Sequence, residues 1–491
     1  MWRVFAGVVV FFLFAFLLLS QAARADDPRA VGGMIAWPRA EMAHALDIFV
    51  PDRMKALGVP GASIAIVTDG RIVFAGTFGK AGDAPGAPVT LATLFEAGEI
   101  GETVAAYGAL GMVRDKLLFL DAPLSRDLQA RWLRKAADDR EITLRRVLTH
   151  SSGLADNLAH PSRRTNFTPG SRFSHSGVGF MYLQHVMSQM EEKPFEQIMK
   201  ARVFIPLGMT HSTYETGGHG PEARGHVPLS FVLSAFYFTF AAAFAVGMLI
   251  IWAVLRFLVQ RHRLEPRDAL WPALGGVAIS AGFIWYGMGF RDGLFIVGIA
   301  LAYALAMAAV AALAHLAARA IEALRARDGM IARGHEPSRR WVTNFMIAAV
   351  LAATWPALGF MAGVPGSGFL PESMEVNAAK SFHTTAPDMA QFMIEIMDGR
   401  HMGDAMRARM TGERIAISPT LAWGLGIGIR QDAEGETLWV RGSTLGFESL
   451  MVMDPARRAG VIVLTNSREG AELAQEVARN ALGFDGVWTL R

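Results

Sequence analysis

Apolar positions along this chain follow two regimes. At residues 4–19, 229–255, 269–290, 294–318 and 341–363 they run almost unbroken, whereas elsewhere they recur with the periods of two and 3.6 that mark half-buried strands and amphipathic helices. Each of the four central runs is long enough to cross about 30 Å of hydrocarbon as a helix. Arg256, Arg261, Arg263 and Arg267 separate the first run from the second, and Arg319, Arg325, Arg327, Arg333, Arg339 and Arg340 separate the third from the fourth; Arg291-Asp292-Gly293 joins the middle two. The positive-inside rule puts both Arg-rich loops in the cytoplasm and residues 26–228 and 371–491 together on the far side. The expectation is a multi-pass protein of the inner membrane with a periplasmic domain split by a four-helix insertion, 229–370. Residues 1–25, with Arg3 before the apolar run and Ala23-Arg24-Ala25 after it, read as a signal peptide; an uncleaved anchor helix is the alternative, and either one exports residues 26–228. No Asp, Glu, Lys or Arg lies within the four runs, so the bundle reads as an anchor or signalling element rather than a transport path.

In the exported parts, residues 63–68 and 71–77 are rich in β-branched and small apolar side chains around Asp69-Gly70, the composition of a hairpin with a type I′ turn. Residues 437–440, 448–453 and 460–465 read as strands. Met42, Leu46, Phe49 and Val50 have helical spacing up to Pro51, and residues 103–118 and 472–482 predict further helices. Strands at both ends with helices between suit an antiparallel sheet assembled from the two halves of the chain.

Composition narrows the chemistry. Of 491 residues 52% are apolar, which agrees with membrane parts. The 47 basic and 44 acidic residues leave a net charge of +3, too little for a nucleic-acid partner. Cysteine is absent, which excludes disulfides, thiolate nucleophiles and iron–sulfur clusters. Gly-x-Ser-x-Gly is absent too, and Gly424-Leu-Gly-Ile-Gly428 lacks the spacing of a dinucleotide fingerprint, reading instead as a strand with close backbone approach. No cofactor is implied. His211, His219 and His226 fit no metal-ligand spacing and read as solvated loop.

The segments Val59-Pro-Gly-Ala-Ser63, Thr93-Leu-Phe95, Leu120-Asp-Ala-Pro-Leu124, Ile142-Thr-Leu-Arg-Arg-Val-Leu-Thr-His-Ser-Ser-Gly-Leu154, Pro206-Leu-Gly-Met209, Thr385-Ala-Pro-Asp388 and Gly446-Phe447 occur in an order that resembles the serine β-lactamase and penicillin-binding-protein-like family. The resemblance implies an α/β domain with an antiparallel sheet, an all-helical domain and a cleft between them. It implies three motifs there: Ser-x-x-Lys at a helix start as nucleophile and base, Tyr-x-Asn as a proton shuttle, and a Lys or His followed by x-Gly on an edge strand that binds the substrate carboxylate and supplies an oxyanion donor.

This chain departs from all three. Glu99 and Glu102 stand at the Ser and Lys positions, His175 and Gly177 at those of Tyr and Asn, and Val440-Arg441-Gly442-Ser443 at the third motif. Two readings are open. In one, the cleft has lost acyl-enzyme chemistry and is a binding or sensing module for a peptidoglycan-like or peptide ligand, with Gly177, Val440, Arg441, Gly442 and Ser443 lining it. A carboxylate cannot replace the serine, because the anhydride it would form lies uphill of an amide or ester. In the other, Glu99, Glu102 and His175 form a repurposed acid–base or metal-assisted hydrolase centre, the two carboxylates pushing one pKa upward. His150 reads as a framework residue of its motif, and Ser151 and Ser152 as loop or cap residues.

Overall fold

A computed structural model describes residues 33–82, 87–128, 132–133, 140–154, 156, 164–217, 219–226, 376–433, 435–483, 486 and 488–490. The signal segment and all four predicted spans lie outside these residues; among the described ones no helix is long and apolar enough to cross a membrane. The described residues belong to one compact unit with bounds Met1–His226 and Pro371–Arg491.

The N-terminal half contributes helix α1 (Arg39–Leu57), strands β1 (Gly61–Thr68), β2 (Arg71–Gly79) and β3 (Phe95–Glu96), and helices α2 (Ile100–Arg114), α3 (Leu144–Leu148) and α4 (Gly177–Glu191). The C-terminal half adds β4 (His383–Thr384), helix α5 (Ala386–Asp398), strands β5 (Ile415–Ala416), β6 (Leu421–Trp423), β7 (Gly428–Asp432), β8 (Gly435–Thr444), β9 (Phe447–Asp454) and β10 (Ala459–Thr465), and helix α6 (Gly470–Leu482). Eight strands form one antiparallel sheet in the order β2-β1-β10-β9-β8-β7-β6-β5. The two halves join where β1 pairs with β10, Ala65 opposite Ile462.

The alternation along each strand sorts side chains between two cores. Ile64, Ile66, Val461, Val463, Leu450 and Val452 pack with Met42, Leu46, Val50 and Met54 of α1 and with Leu473, Val477 and Leu482 of α6. Ala65, Val67, Ile462, Leu464, Met451 and Val440 turn the other way, toward α2, α4 and α5. The hairpin turn is as expected: Asp69 and Gly70 both have positive φ, 50° and 68°. Helix α1 differs from its sequence pattern by running through Pro51. The missing Pro51 N–H is offset by continued burial of Val50 and Met54 in the same stripe. Residues 424–428 differ as well. Residues 424–427 form a loop between β6 and β7 and only Gly428 is strand, although the close approach is real, since a Cβ on Gly426 would lie 2.2 Å from that of Ala106.

Two features place the cleft. The pair β3–β4, Glu96 opposite His383, brings residues 376–384 beside the start of α2. Strand β8 pairs with β7 only through Trp439, so Val440–Thr444 keep β9 on one side and present a free edge on the other. Over the face of the β8–β9 pair lies Ala97, whose carbonyl accepts the Ser449 hydroxyl at 2.9 Å. A Cβ on Gly442 would stand 1.9 Å from the same carbonyl oxygen, so only glycine lets the segments meet. Gly442→Ala should therefore lower the thermal midpoint of the full-length protein by about 5 °C or more, the scale of overpacking a closed contact; an unchanged melting curve would refute the contact.

Candidate functional site

Glu102 lies in the first turn of α2 and is 2% exposed. A buried carboxylate needs a charge partner, and two imidazoles converge on it. His175 precedes the Ser176 N-cap of α4, whose hydroxyl accepts the Gly179 N–H. Its Nε2 lies 3.0 Å from Glu102 Oε2, and its Nδ1 lies 2.9 Å from Asp156 Oδ2. Asp156 Oδ1 accepts the Gly177 N–H at 2.8 Å, so one carboxylate both orients the ring and binds the helix start. Burial by itself would lower the His175 pKa, but the Glu102 charge and the bond to Asp156 outweigh it and raise it well above 6.5. His175 is thus an imidazolium with both N–H groups spent on carboxylates, and it has no lone pair with which to act as a base.

His150 completes the cluster. It follows α3 with φ at +50°, a strained conformation for a residue of this shape. The Ser174 N–H holds its carbonyl at 2.8 Å and the Ser176 N–H holds its Nδ1 at 3.2 Å, so the segment before α4 grips it twice. Phe173, Phe180 and Trp423 surround the ring at centroid distances of 5.1–5.8 Å, and the His175 ring lies 4.4 Å away. Burial first, then the neighbouring His175 charge, lower its pKa. It is neutral, and with Nδ1 accepting, its proton sits on Nε2, 3.4 Å from Glu102 Oε2 in an alignment too poor for a full hydrogen bond.

The two imidazoles also overturn the expected rise of a carboxylate pKa. Burial would raise that of Glu102, but the charge and hydrogen bond of His175, together with the nearby His150, lower it overall, so Glu102 stays ionised. Its Oε1 is enclosed and has no hydrogen-bond partner among the described residues. Glu99, one turn earlier, has other partners. Its Oε2 accepts the Ser443 N–H at 2.6 Å and its Oε1 lies 3.4 Å from Lys380 Nζ.

The third motif is rearranged. Val440 is 1% exposed in the core beneath α2, so its side chain cannot line a ligand site. Arg441 and Ser443 alternate with it on the opposite face of β8, where Arg441 Nε donates to Glu448 at 3.0 Å and Ser443 Oγ at 2.7 Å. What β8 offers the cleft is the Ser443 N–H rather than these side chains. Gly177 offers its N–H to Asp156, and Gly442 serves the contact with Ala97. Ser151 and Ser152 have local roles, with Ser151 Oγ against Thr149 Oγ1 at 2.9 Å and Ser152 Oγ receiving the Leu154 N–H.

Glu102, His150 and His175 each bring one ligand atom within 4.8 Å of the others, close enough in principle for a divalent cation. The protons argue against it. His175 would fit only after losing its Nε2 proton, its Nδ1 then donating to a carboxylate as a metal-bound imidazole requires. His150 does not, because the Ser176 N–H occupies Nδ1 and leaves Nε2 protonated, without a lone pair for a metal. Among the described residues that leaves Glu102 and at most one imidazole, fewer donors than a transition-metal site needs.

Sequence reasoning set His150 aside and missed Asp156. The strained residue after a short helix is invisible without coordinates, and Asp156 lies in a loop 19 residues before His175 with no periodic pattern around it.

With this geometry in place, comparisons with known proteins give a consistent family. The family model described as Beta-lactamase matches residues 46–283 and 299–484. A β-lactamase of Pseudomonas fluorescens is 26% identical over 186 residues, 35% of this chain and 51% of that protein. A D-aminopeptidase of Brucella anthropi is 25% identical over 215 residues, 38% of this chain and 40% of that protein. The chain therefore spans about half or less of these curated relatives. Among solved structures, a class C β-lactamase superposes with a TM-score of 0.54 at 15% identity, covering 92% of this chain and 98% of its own, which speaks for the fold alone.

The network makes a prediction about pH. A raised His175 pKa contributes stability that is fully present below 6.5 and is lost as pH rises through the folded value. A lowered Glu102 pKa contributes above the ordinary carboxylate value of 4.5 and is lost as pH falls through the folded one. An NMR titration of the imidazoles should find His175 protonating above 6.5 in the wild type and markedly lower in Glu102→Gln. A His175 midpoint indifferent to that substitution would contradict the assignment.

Proposed function

The chain belongs to the β-lactamase family, and we propose that it is a member anchored in the inner membrane whose periplasmic cleft binds a ligand without forming an acyl-enzyme. The single observation that carries this reading is the Glu99 carboxylate on the Ser443 N–H at 2.6 Å. Acyl transfer needs a nucleophile, a base to deprotonate it and an N–H left open for the developing oxyanion. Here the first position holds a carboxylate, the second an ionised Glu102, the third an imidazolium, and the N–H already has an anion. Filling one oxyanion donor costs about 10²–10³ in rate, and loss of nucleophile and base together about 10⁶. The relatives' names, β-lactamase and D-aminopeptidase, support a peptidoglycan-like or peptide ligand. The four apolar runs and their Arg-rich loops support the membrane anchor, with the lipid bilayer as its other partner.

A second reading, a hydrolase working through Glu99, Glu102 and His175, draws on the Asp156–His175–Glu102 relay, which has the order of an acid–base chain. The proton positions oppose it, since His175 can give a proton but not take one.

Purified full-length protein should take no covalent label from a fluorescent penicillin or a fluorophosphonate, and should turn over neither. Stable labelling, or turnover abolished by each of Glu99→Gln, Glu102→Gln and His175→Asn, would overturn the binding reading in favour of an enzyme. Membranes washed with alkaline carbonate should retain the chain; its release would remove the anchor.

A further inference from the structure

A large apolar side chain exposed by itself on a protein surface is ordinary. Leu445 differs by where it stands. It is 39% exposed in the turn between β8 and β9, and the described chain ends beside it on the way to residue 227. His226 donates its N–H to Gly446 O at 3.2 Å and to Asn466 O at 2.9 Å, and its own carbonyl accepts the Arg468 N–H at 3.2 Å. The backbones touch there, since a Cβ on Gly446 would lie 2.6 Å from Gly225 Cα. Residue 226 is therefore clamped to the same turn whose strand supplies the Ser443 N–H at the rim of the cleft.

The strap that follows is short. The first apolar run begins at Leu229, and from 226 to 229 a fully extended chain reaches about 11 Å at most. The headgroup region beyond the hydrocarbon is about 5–7 Å deep on each side, so such a strap spans little more than that layer. The return is looser, because from 363 to 376 the chain can reach about 45 Å. The exposed charges around His226 suit an anionic surface. Arg224 lies two residues before it, Arg468 binds its carbonyl through the backbone, and Lys80 O accepts Asn466 Nδ2 at 3.0 Å; all three side chains are exposed. Among the described residues of these stretches Glu469 is the exposed acid, and Glu222 is half-buried.

The geometry points to the β8–β9 turn as a lipid-contact surface, in which Leu445 enters the headgroup boundary of the bilayer and Lys80, Arg224 and Arg468 meet anionic phospholipid headgroups. An apolar side chain ringed by bases is the combination that settles in that boundary, where Lys and Arg stems follow the acyl edge while their charges stay with the phosphates. Because the clamp on His226 and the cleft rim share one turn, this contact holds the mouth of the cleft at the membrane surface. The inference rests on the reading of residues 229–255 as part of a membrane anchor and deepens it by naming what the exported part lays against lipid.

The chain contains no cysteine, so Leu445→Cys and Leu117→Cys each take a single environment-sensitive fluorophore without background. Leu117 is a matched control, 38% exposed and beyond the far end of α2, which runs about 20 Å from Glu99. Each full-length variant is reconstituted into vesicles of phosphatidylcholine and phosphatidylglycerol, with and without a phospholipid spin-labelled high on its acyl chain. The spin label should quench the probe at 445 at least about twofold more than the probe at 117, as for a side chain about 5–10 Å into the boundary. Vesicles of phosphatidylcholine alone should shrink that difference. Equal quenching at the two positions, with melting curves verifying both folds, would overturn the lipid contact, as would a difference indifferent to loss of the anionic lipid. Alkaline carbonate applied to the same vesicles separates the two readings: release of the chain sinks the anchor itself, whereas a retained chain with an unquenched probe at 445 sinks only this inference.

Discussion

The site is organised by the burial of one charge. Glu102 is enclosed at the start of α2, and an ionised carboxylate there survives only with a counter-charge beside it. His175 supplies that charge, and Asp156 holds the other ring nitrogen and the start of α4. His150 occupies the remaining side in a backbone conformation that costs energy, offset by the Ser174 and Ser176 N–H groups and by the aromatic rings around it. Three segments far apart in sequence, 99–102, 149–156 and 174–177, are thereby drawn to one point.

The substitutions at the motif positions form a set rather than a scatter of losses. The resemblance implies a Lys facing a Tyr; this chain has a carboxylate facing an imidazolium. The sign of charge at the helix position is reversed, and the facing position has changed so that the pair still balances. Reversal at one position alone would leave a buried carboxylate uncompensated, at a cost of several kcal/mol. A fold-level reason for the pair therefore exists without any reaction. The same exchange leaves His175 without a free lone pair, so the imidazole that balances Glu102 is not itself a base.

Much of the scaffold was legible because it rests on local chemistry. Asp69-Gly70 demands positive φ at two successive positions, and the alternation in residues 460–465 assigns its faces without knowledge of neighbours. The departures Glu99, Glu102 and His175 were legible for the same reason, since each sits in a short run of motif residues. What stayed hidden depends on contacts between distant segments. His150 belongs to the site only because residues 174–176 fold over it, and Asp156 only because its loop reaches α4. Val440 was misjudged because a motif fixes which strand lines a cleft but not what its side chains find there. Burial of Val440 and the Glu448 carboxylate decide that, and neither is encoded in the motif itself.

Glu99 and Glu102 stand one turn apart yet answer to different parts of the chain. Glu102 is held entirely by residues 150–175, from the N-terminal half. Glu99 is held by Ser443 and Lys380, from the C-terminal half. Those two partners lie close to the described ends of the chain that flank residues 227–375. His226 donates to Gly446 O in the turn after β8 and to Asn466 O, and Lys380 lies four residues beyond Val376, whose carbonyl accepts from Gln184. The grip on Glu102 is thus internal to one half and sealed from water, whereas the grip on Glu99 spans both halves and is open on one side. Two carboxylates in the same helical turn thus take different parts, one a sealed charge within the N-terminal half and the other a tie between the two halves at the cleft.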